Sequence, residues 1–373
     1  MLQLAKSVII TAKVSPHVCG VGDYSINLAT NCKTIFNFEI NLIVESSCQA
    51  SSQPVTILPV VENWSKTGWQ KLFNQLQQQN VKNVILQYTP WLYSTKGYNF
   101  SLLDFWRQCS QQFNTLLIVH ETYSWFLKYP GTWGVGLLQQ YLLRSLVHSS
   151  HHVFSASELY LNRLKRFINN PDKIHYLPIP SNISPQAQSP EFKQKLRHKL
   201  AISPEQIVIT LFGCRGSIYP DWLLRLDHRL SQSNYSVVWL LLGDAQKLPV
   251  SLNNPLLLPG YLNQMELSYY LQISDLMLMP HEFGISAKRT SLMSAIEHGL
   301  PVVGTDGMLT DSFFRQLPSL FLAADRNYPD FEQKVLKTLS KLPHLGEAVQ
   351  ISQAYYQKHL NWSVVTQTLL PYL

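Results

Sequence analysis

The stretch MPHEFG, from Met279 to Gly284, decides how this chain folds, together with the residues that follow it. KRT comes next at Lys288–Thr290, and EHGLPVVGT closes the pattern at Glu297–Thr305. This order predicts a strand, a loop with one acid and two bases, a helix, a glycine stop and a second strand. A helix start offers unpaired backbone N–H groups and a positive dipole end, which suits the phosphates of a nucleotide. The same pattern also occurs in doubly wound sheets that bind nothing there.

Apolar runs alternate with amphipathic stretches along the whole chain, which predicts an α/β fold with two doubly wound parallel sheets. The Pro-rich segment around Leu177–Ile183 separates two such series and predicts a hinge near residue 185. We expect one domain over residues 1–185, a second over 186–350, and a C-terminal helix over 351–373. The strands are expected at Val8–Thr11, Ile40–Val44, Asn83–Gln87, Leu116–Val119, His152–Phe154, Gln206–Phe212, Ser236–Leu242, Leu256–Leu258, Leu276–Met279 and Pro301–Val303.

The composition restricts the class of partner. The chain has 373 residues, of which 46% are hydrophobic and 14% charged, so two globular domains are expected. The net charge of +7 fits a phosphorylated ligand or an anionic membrane surface, and without blocks of bases or a nucleic-acid motif we expect no nucleic acid. Five scattered cysteines predict free thiols, and no apolar run is long enough to cross a bilayer. We therefore expect a cytoplasmic protein, with peripheral contact at the inner membrane face left open.

These motifs together resemble the GT-B glycosyltransferases of the family-4 type (glycosyl transferase group 1). That family has "Pro-Ser-x-x-Glu-x-Phe-Gly" before a helix that ends in "Gly-x-Pro-Val-Val", and "Gly-Gly-Val-Gly-x-Tyr" in its first domain. Here Gly20–Tyr24 matches the second motif, with Cys19 in place of the preceding glycine. The resemblance implies two Rossmann-like domains facing a cleft, with the acceptor held by the first and a nucleotide sugar by the second. It also implies a C-terminal helix that returns to the first domain.

The resemblance assigns most donor-binding residues to the second domain. Arg215 matches the family arginine that binds the donor phosphates, but no lysine follows it, and Tyr219 stands near that place. We expect Lys288 and Arg289 to supply the missing charge. The family's paired glutamates, "Glu-x7-Glu", match only at Glu282, because the second falls on Thr290 or Ser294, depending on the direction of counting. The other donor-binding positions are expected at Gly22, Gly243, Tyr261, Phe283, Gly284 and Thr290.

His120 and Glu282 are the expected catalytic residues. His120 follows the strand Leu116–Val119, and the carboxyl end of a parallel strand opens into the crevice where this fold class binds ligands. A lone histidine is also often an ordinary surface or core residue. Contact with a sugar hydroxyl is the expected role. The aromatic-rich segments Gln87–Trp91 and Tyr123–Trp133 suit an acceptor groove, although several of these rings would equally serve the core.

The sequence thus predicts a glycosyltransferase of the hexosyltransferase type that moves a sugar from a nucleotide diphosphate to a glycan or lipid-linked acceptor, as in polysaccharide biosynthesis. Retention of the anomeric configuration is implied by the resemblance alone. No DxD motif occurs, so we expect no metal, and no cofactor besides the nucleotide sugar as co-substrate. Two alternatives stay open: a nucleotide-sugar epimerase of the same fold, and a non-catalytic member that binds a glycan or a partner.

Overall fold

The computed structural model describes residues 6–52, 54–124, 133–187, 189–213, 218–243 and 251–373. The chain forms two compact units. Unit 1 consists of Met1–Pro178 and Trp362–Leu373, and unit 2 of Ile179–Asn361. Each unit is built on one parallel sheet, so the expected α/β class with two doubly wound domains is confirmed.

Unit 1 contains a seven-stranded sheet in the order β3-β2-β1-β4-β5-β6-β7, and all its strand pairs are parallel. The first three strands are added towards one edge of the sheet and the later ones towards the other, so the switch point lies between β1 and β4. Ligands bind at such a switch point in this class of fold. Its strands are β1 (Ser7–Ile10), β2 (Ile40–Glu45), β3 (Ile57–Val61), β4 (Asn83–Tyr88), β5 (Asn114–Val119), β6 (His152–Ser155) and β7 (Ile174–Tyr176). Its helices are α1 (Gly20–Phe36), α2 (Lys66–Gln78), α3 (Ser101–Gln112), α4 (Trp133–Ser149), α5 (Glu158–Lys165) and the last helix, α12 (Trp362–Leu369).

Unit 2 contains a six-stranded parallel sheet in the order β10-β9-β8-β11-β12-β13, with its switch point between β8 and β11. Its strands are β8 (Ile207–Phe212), β9 (Val237–Leu242), β10 (Leu256–Leu257), β11 (Leu276–Met279), β12 (Val302–Asp306) and β13 (Leu320–Ala324). Its helices are α6 (Pro190–Lys199), α7 (Pro220–Ser231), α8 (Gln264–Ile273), α9 (Thr290–Glu297), α10 (Tyr328–Lys341) and α11 (Gly346–His359).

The central strands are apolar runs because helices cover both faces of each sheet. Every residue of β1, β4, β9 and β11 is buried. The helices bury one side only: Trp69 of α2 and Trp106 of α3 belong to the core of unit 1, and Trp222 of α7 belongs to the core of unit 2. Local signals fix helix ends as well, since Asn263 and Glu266 form a capping box at the start of α8. The buried central strands therefore hold the loops at their carboxyl ends in fixed positions.

The boundary between the units lies at Pro178/Ile179, at the start of the Pro-rich segment, whereas we expected it near residue 185. The residues just after it are hydrogen-bonded into unit 2. The Ile179 N–H donates to the Ala287 carbonyl (3.3 Å), and the Ser181 N–H donates to the Tyr356 hydroxyl (3.0 Å). The segment that belongs to unit 1 at the C-terminus starts at Trp362, not at residue 351, because α11 packs against α9.

Helix α12 packs against α1 within unit 1. The ring of Trp362 lies 5.6 Å from that of Tyr24, centroid to centroid. The Tyr372 carbonyl accepts a hydrogen bond from the Asn114 side chain (2.6 Å), and the Tyr372 hydroxyl lies 3.2 Å from Nδ1 of His175. The C-terminal residues are thus part of unit 1.

Candidate functional site

The carboxyl edge of the unit 1 sheet holds His120 firmly in place. His120 directly follows β5 and is buried, and its backbone N–H donates to the Tyr88 carbonyl (2.9 Å). Its Nε2 lies 2.6 Å from the side-chain oxygen of Gln87, at the end of the neighbouring strand β4. An amide oxygen only accepts, so Nε2 carries a hydrogen and donates it to Gln87. The Tyr24 ring packs against the imidazole edge to face, with centroids 5.1 Å apart.

Several polar side-chain atoms of α1 and of the strand ends of unit 1 are buried and have no hydrogen-bond partner among the described residues. They belong to Thr11 just after β1, Tyr24 in α1, and Gln87 and Tyr88 at the end of β4. Buried polar atoms are nearly always paired with protein, water or ligand, because leaving them unpaired costs about 1–3 kcal/mol. Thr11, Tyr24, Gln87 and Tyr88 therefore form a polar layer beneath the surface of this region.

Gly22 has a clear role within the protein itself. It lies in the first turn of α1, where a Cβ atom would come within 2.1 Å of the Lys13 carbonyl oxygen. Its N–H donates to the Cys19 sulfur (3.4 Å), which caps the helix. At Gly20, by contrast, a Cβ would meet nothing within 4 Å. Close packing of α1 on the preceding loop thus explains the glycine at position 22, and its contact with a donor stays a prediction.

In unit 2 the loop after β11 is interlocked with the loop after β12. Gly284 has a φ of +93°, and a Cβ there would lie 2.2 Å from the Thr310 hydroxyl and 2.5 Å from the Gly307 nitrogen. The Leu309 N–H donates to the Phe283 carbonyl (2.8 Å). These contacts fix the backbone directly after the expected catalytic residue Glu282, which is half-buried.

A second contact holds the same loop from β13. Asp325 Oδ1 accepts hydrogen bonds from the Tyr219 hydroxyl (2.6 Å) and from the Phe283 N–H (3.3 Å). Burial and then the bond to Asp325 raise the pKa of Tyr219 to about 12, so it stays a donor. Tyr219 stands near the place of the absent family lysine, and its N–H donates to the Pro280 carbonyl (3.0 Å). This tyrosine therefore supports the Glu282 loop.

Arg326 is a cation that the sequence analysis missed. It follows Asp325 with a φ of +61°, its Nε lies 3.9 Å from Oδ2 of Asp325, and its guanidinium carbon lies 5.7 Å from the Phe283 ring centroid. The side chain is largely exposed, beside the loop that carries Glu282. The available signal was weak: an Asp-Arg pair directly after an apolar run that we did not assign as a strand.

The start of α9 meets the ends of β8 and β9. A Cβ at Gly213 would lie 3.7 Å from the Ser291 side chain, and one at Gly243 would lie 3.7 Å from the Gly213 nitrogen. Arg289 is the N-cap residue of α9 and makes no side-chain capping hydrogen bond. Lys288 and Thr290 flank it in sequence, and all three residues are half-buried. The structure thus brings Gly243, Lys288, Arg289 and Thr290 to one helix start, whose dipole favours an anion.

Two further expected donor-binding residues are Arg215 and Tyr261. Arg215 lies outside the described residues, as does part of the aromatic segment, at 125–132. Tyr261 is 95% exposed, so its side chain is not packed against the other candidates. Across the described ranges, no group of three or more His, Cys, Asp or Glu side chains has the arrangement of a metal site.

Ser294, one of the two positions for the second family glutamate, is committed to the interior of unit 2. It is fully buried, its hydroxyl donates to the Thr290 carbonyl (2.8 Å), and it lies 2.9 Å from the Ser181 hydroxyl. These contacts join α9 to the Pro-rich segment. Ser294 therefore has a structural role at the position where the resemblance expects a carboxylate that holds the donor ribose.

Glu297, at the end of α9, gives unit 2 a pH-dependent stability. Burial raises the pKa of its carboxyl to about 7, although hydrogen bonds with Ser181 and Tyr356 oppose this shift. The folded chain therefore holds the proton that the unfolded chain releases near pH 4.5, and stability falls as the pH rises from about 4.5 to 7. We expect Glu297→Gln to be more stable than the wild type at pH 8, by about 1–3 kcal/mol, and nearly equal at pH 5.

Thermal melts of both proteins from pH 5 to pH 8 test this expectation. Burial lowers the pKa of the neighbouring His298 to about 4, so its own contribution falls with acidification, but it is present in both proteins and cancels in the difference. A difference in melting temperature that does not change with pH would contradict the assignment.

No protein-family model matches the chain, and no curated protein matches it in sequence. Solved structures match over nearly its whole length. Sucrose-phosphate synthase from Thermosynechococcus elongatus has a TM-score of 0.68 at 12% identity, covering 98% of this chain and 97% of that one. HepE of Anabaena in complex with UDP-glucose has a TM-score of 0.66 at 14% identity, covering 98% of each chain. The UDP-GlcNAc 2-epimerase of Neisseria meningitidis, bound to UDP-GlcNAc, has a TM-score of 0.57 at 10% identity, covering 98% of each chain. The expected GT-B fold is thereby confirmed.

Proposed function

We propose that this protein is a glycosyltransferase of the family-4 type, which transfers a sugar from a nucleotide diphosphate to a hydroxyl of a glycan or lipid-linked acceptor. The observation that carries the proposal is the meeting of Gly213, Gly243 and the start of α9 at the switch point of unit 2, flanked by the Glu282 loop. A helix start with adjacent cations and closely approaching glycines is a binding site for a diphosphate. HepE, which shares the fold, was solved with UDP-glucose.

In the proposed reaction the bond between the sugar C1 and the diphosphate oxygen breaks, and an acceptor oxygen forms the new bond to C1. The products are the glycoside, the nucleoside diphosphate and the proton of the acceptor hydroxyl. Lys288, Arg289 and Arg215 neutralise the charge that develops on the departing diphosphate, as a metal does in other transferases. Arg326, beside the Glu282 loop, adds to this positive field. Glu282 holds the donor sugar, and His120 contacts a sugar hydroxyl at the carboxyl edge of unit 1.

The proposal includes a metal-independent reaction that retains the anomeric configuration. In such a reaction, backbone N–H groups and basic side chains neutralise the diphosphate in place of a divalent cation. The dipole of α9 contributes about 0.3–1 kcal/mol and each charge-assisted hydrogen bond about 1.5–3 kcal/mol. Together these stabilise an anionic leaving group without a carboxylate-bound ion.

Titration of UDP and GDP against single variants tests the diphosphate site. We expect Arg215→Ala, Lys288→Ala or Arg289→Ala to weaken nucleotide binding about ten- to hundredfold, since each removes one charge-assisted contact of roughly 1.5–3 kcal/mol. Arg326→Ala should cause a smaller loss, because its guanidinium is largely exposed and screened.

Lys337→Ala is the matched control, because Lys337 is an exposed cation on α10. Unchanged affinity in all the site variants would reject the site. Loss of binding with EDTA would reject the metal-free mechanism.

The open alternatives give different products. An epimerase returns a nucleotide sugar with altered stereochemistry, whereas a transferase releases the nucleoside diphosphate. The non-catalytic alternative has a specific observation in its favour, because Ser294 is engaged inside unit 2 where the family has its second glutamate. Failure of UDP, GDP and their sugars to raise the melting temperature of the wild type would favour that alternative over the transferase.

A further inference from the structure

Helix α4 leaves an apolar face in solvent. Trp133, Leu137 and Tyr141 recur every four residues along it, and each is more than half exposed. At 100° per residue these three positions fall within an arc of about 80°. The opposite side, which includes Leu142 and Leu146, is fully buried in the core of unit 1. Soluble helices normally present polar residues on the outer side, so this face indicates a binding surface.

The apolar face includes one further residue of α4 and one residue outside this helix. Leu138 is also exposed, and the exposed ring of Phe100 at the start of α3 lies 6.4 Å from the Tyr141 ring, centroid to centroid. We refer to Trp133, Leu137, Leu138, Tyr141 and Phe100 as the α4 surface. It contains two large amphipathic aromatic rings, of the kind enriched where a protein meets the headgroup region of a bilayer.

The charge along α4 has one sign, while α3 carries one exposed carboxylate, Asp104, one helical turn after Phe100. No aspartate or glutamate occurs from Thr122 to Ser157, a stretch that contains all of α4. Arg144 and His148 are exposed, and the helical period places them on the same side of α4 as Leu137. Lys96 is exposed in the loop before α3. An apolar helix face that carries cations and no carboxylate is complementary to an anionic, apolar partner.

We propose that the α4 surface docks peripherally on a bilayer that contains anionic lipid. Trp133, Leu137 and Tyr141 would enter the boundary between headgroups and acyl chains, while Arg144 meets lipid phosphates. Among the described residues, no helix is long and apolar enough to span a membrane, so the contact is with one face of the bilayer. A second copy of this surface would fit less well, because beside its apolar residues it offers Arg144 a single carboxylate, Asp104 of α3.

Cosedimentation with vesicles tests the proposal with the full chain and without any nucleotide sugar, so the result is independent of the proposed transfer reaction. We expect the wild type to bind vesicles of phosphatidylcholine and phosphatidylglycerol and to bind pure phosphatidylcholine at least about tenfold more weakly. Leu137→Glu should reduce binding to the anionic vesicles about tenfold or more, because it places a carboxylate in the apolar face.

Ile351→Glu is the matched control. Ile351 is 51% exposed on α11 of unit 2, Leu137 is 60% exposed, and both substitutions add the same charge. Melting temperatures show that each variant is folded. Equal vesicle binding by the two variants, or no binding by the wild type, would overturn the proposal. So would a wild-type dimer in light scattering that Leu137→Glu converts to monomer, because a second copy would then be what covers the α4 surface.

Discussion

Gly284→Ala is expected to destabilise unit 2 by more than about 3 kcal/mol and to abolish nucleotide binding. The added Cβ would lie 2.2 Å from the Thr310 hydroxyl and 2.5 Å from the Gly307 nitrogen. The backbone at φ +93° is also unfavourable for an L-residue, by roughly 1–2 kcal/mol. Since the same loop carries Glu282, relief of the clash would displace the proposed donor site. Chemical denaturation gives the loss of stability, and nucleotide titration gives the loss of binding.

Gly346→Ala is the control for this prediction in the same unit. Gly346 is the first residue of α11, and a Cβ there would meet nothing within 4 Å. Alanine in a compatible helical position usually stabilises a protein by about 0.4–1 kcal/mol, because it restricts the unfolded chain. If Gly284→Ala and Gly346→Ala had the same stability, the interlock of the two loops would be refuted.

The central strands of both sheets could be predicted from the sequence, and three edge strands could not. β3, β7 and β13 stand at the edges of their sheets and were missed. Edge strands are short or only partly buried, so their signals are weaker than those of the central strands, and the apolar run that forms β13 was not assigned as a strand. β3 contains Pro59 and the exposed Val60, β7 has three residues, and β13 is only partly buried. The edge strand β10 was found because its leucines follow one another.

The candidate site was predictable where it depends on position at a strand end. His120 and Gly243 each follow an apolar run, and that alone places them at the carboxyl edge of a parallel sheet. The support of the Glu282 loop was not predictable. Tyr219 and Asp325, which hold it together, are separated by 106 residues in sequence, and only the packing of β13 beside β12 brings them together.

Gln87 lies between these two cases. It is the last but one residue of β4 and reaches His120, 33 residues later, because β4 and β5 pair in register from Asn83 opposite Asn114 onward. Alignment of the two predicted strands would have placed the two side chains close together. A buried glutamine in an otherwise apolar strand was the signal, since such an amide needs a partner.

Loss of His120 should impair transfer far more than nucleotide binding. In the proposed reaction His120 contacts a hydroxyl group at the carboxyl edge of unit 1, whereas the nucleotide binds in unit 2. Removing one preorganised hydrogen-bonding group from a reacting complex typically costs about 10²–10³ in rate. We therefore expect His120→Ala to lower kcat by about a hundredfold or more and to leave the Kd for the nucleoside diphosphate within about twofold. Steady-state transfer assays, with the donor found by a screen of UDP- and GDP-sugars, give kcat. Calorimetric titration gives the Kd for the nucleoside diphosphate.

Gln87→Leu separates positioning from contact. Leucine fills a similar volume but leaves Nε2 of His120 without its acceptor, so the preferred tautomer is lost while the ring remains. Its kcat should fall between those of the wild type and His120→Ala. His344→Ala, at an exposed histidine of unit 2, should match the wild type. Full transfer activity in His120→Ala would remove His120 from the mechanism, and equal losses of transfer and nucleotide binding would indicate a folding defect instead of a catalytic one.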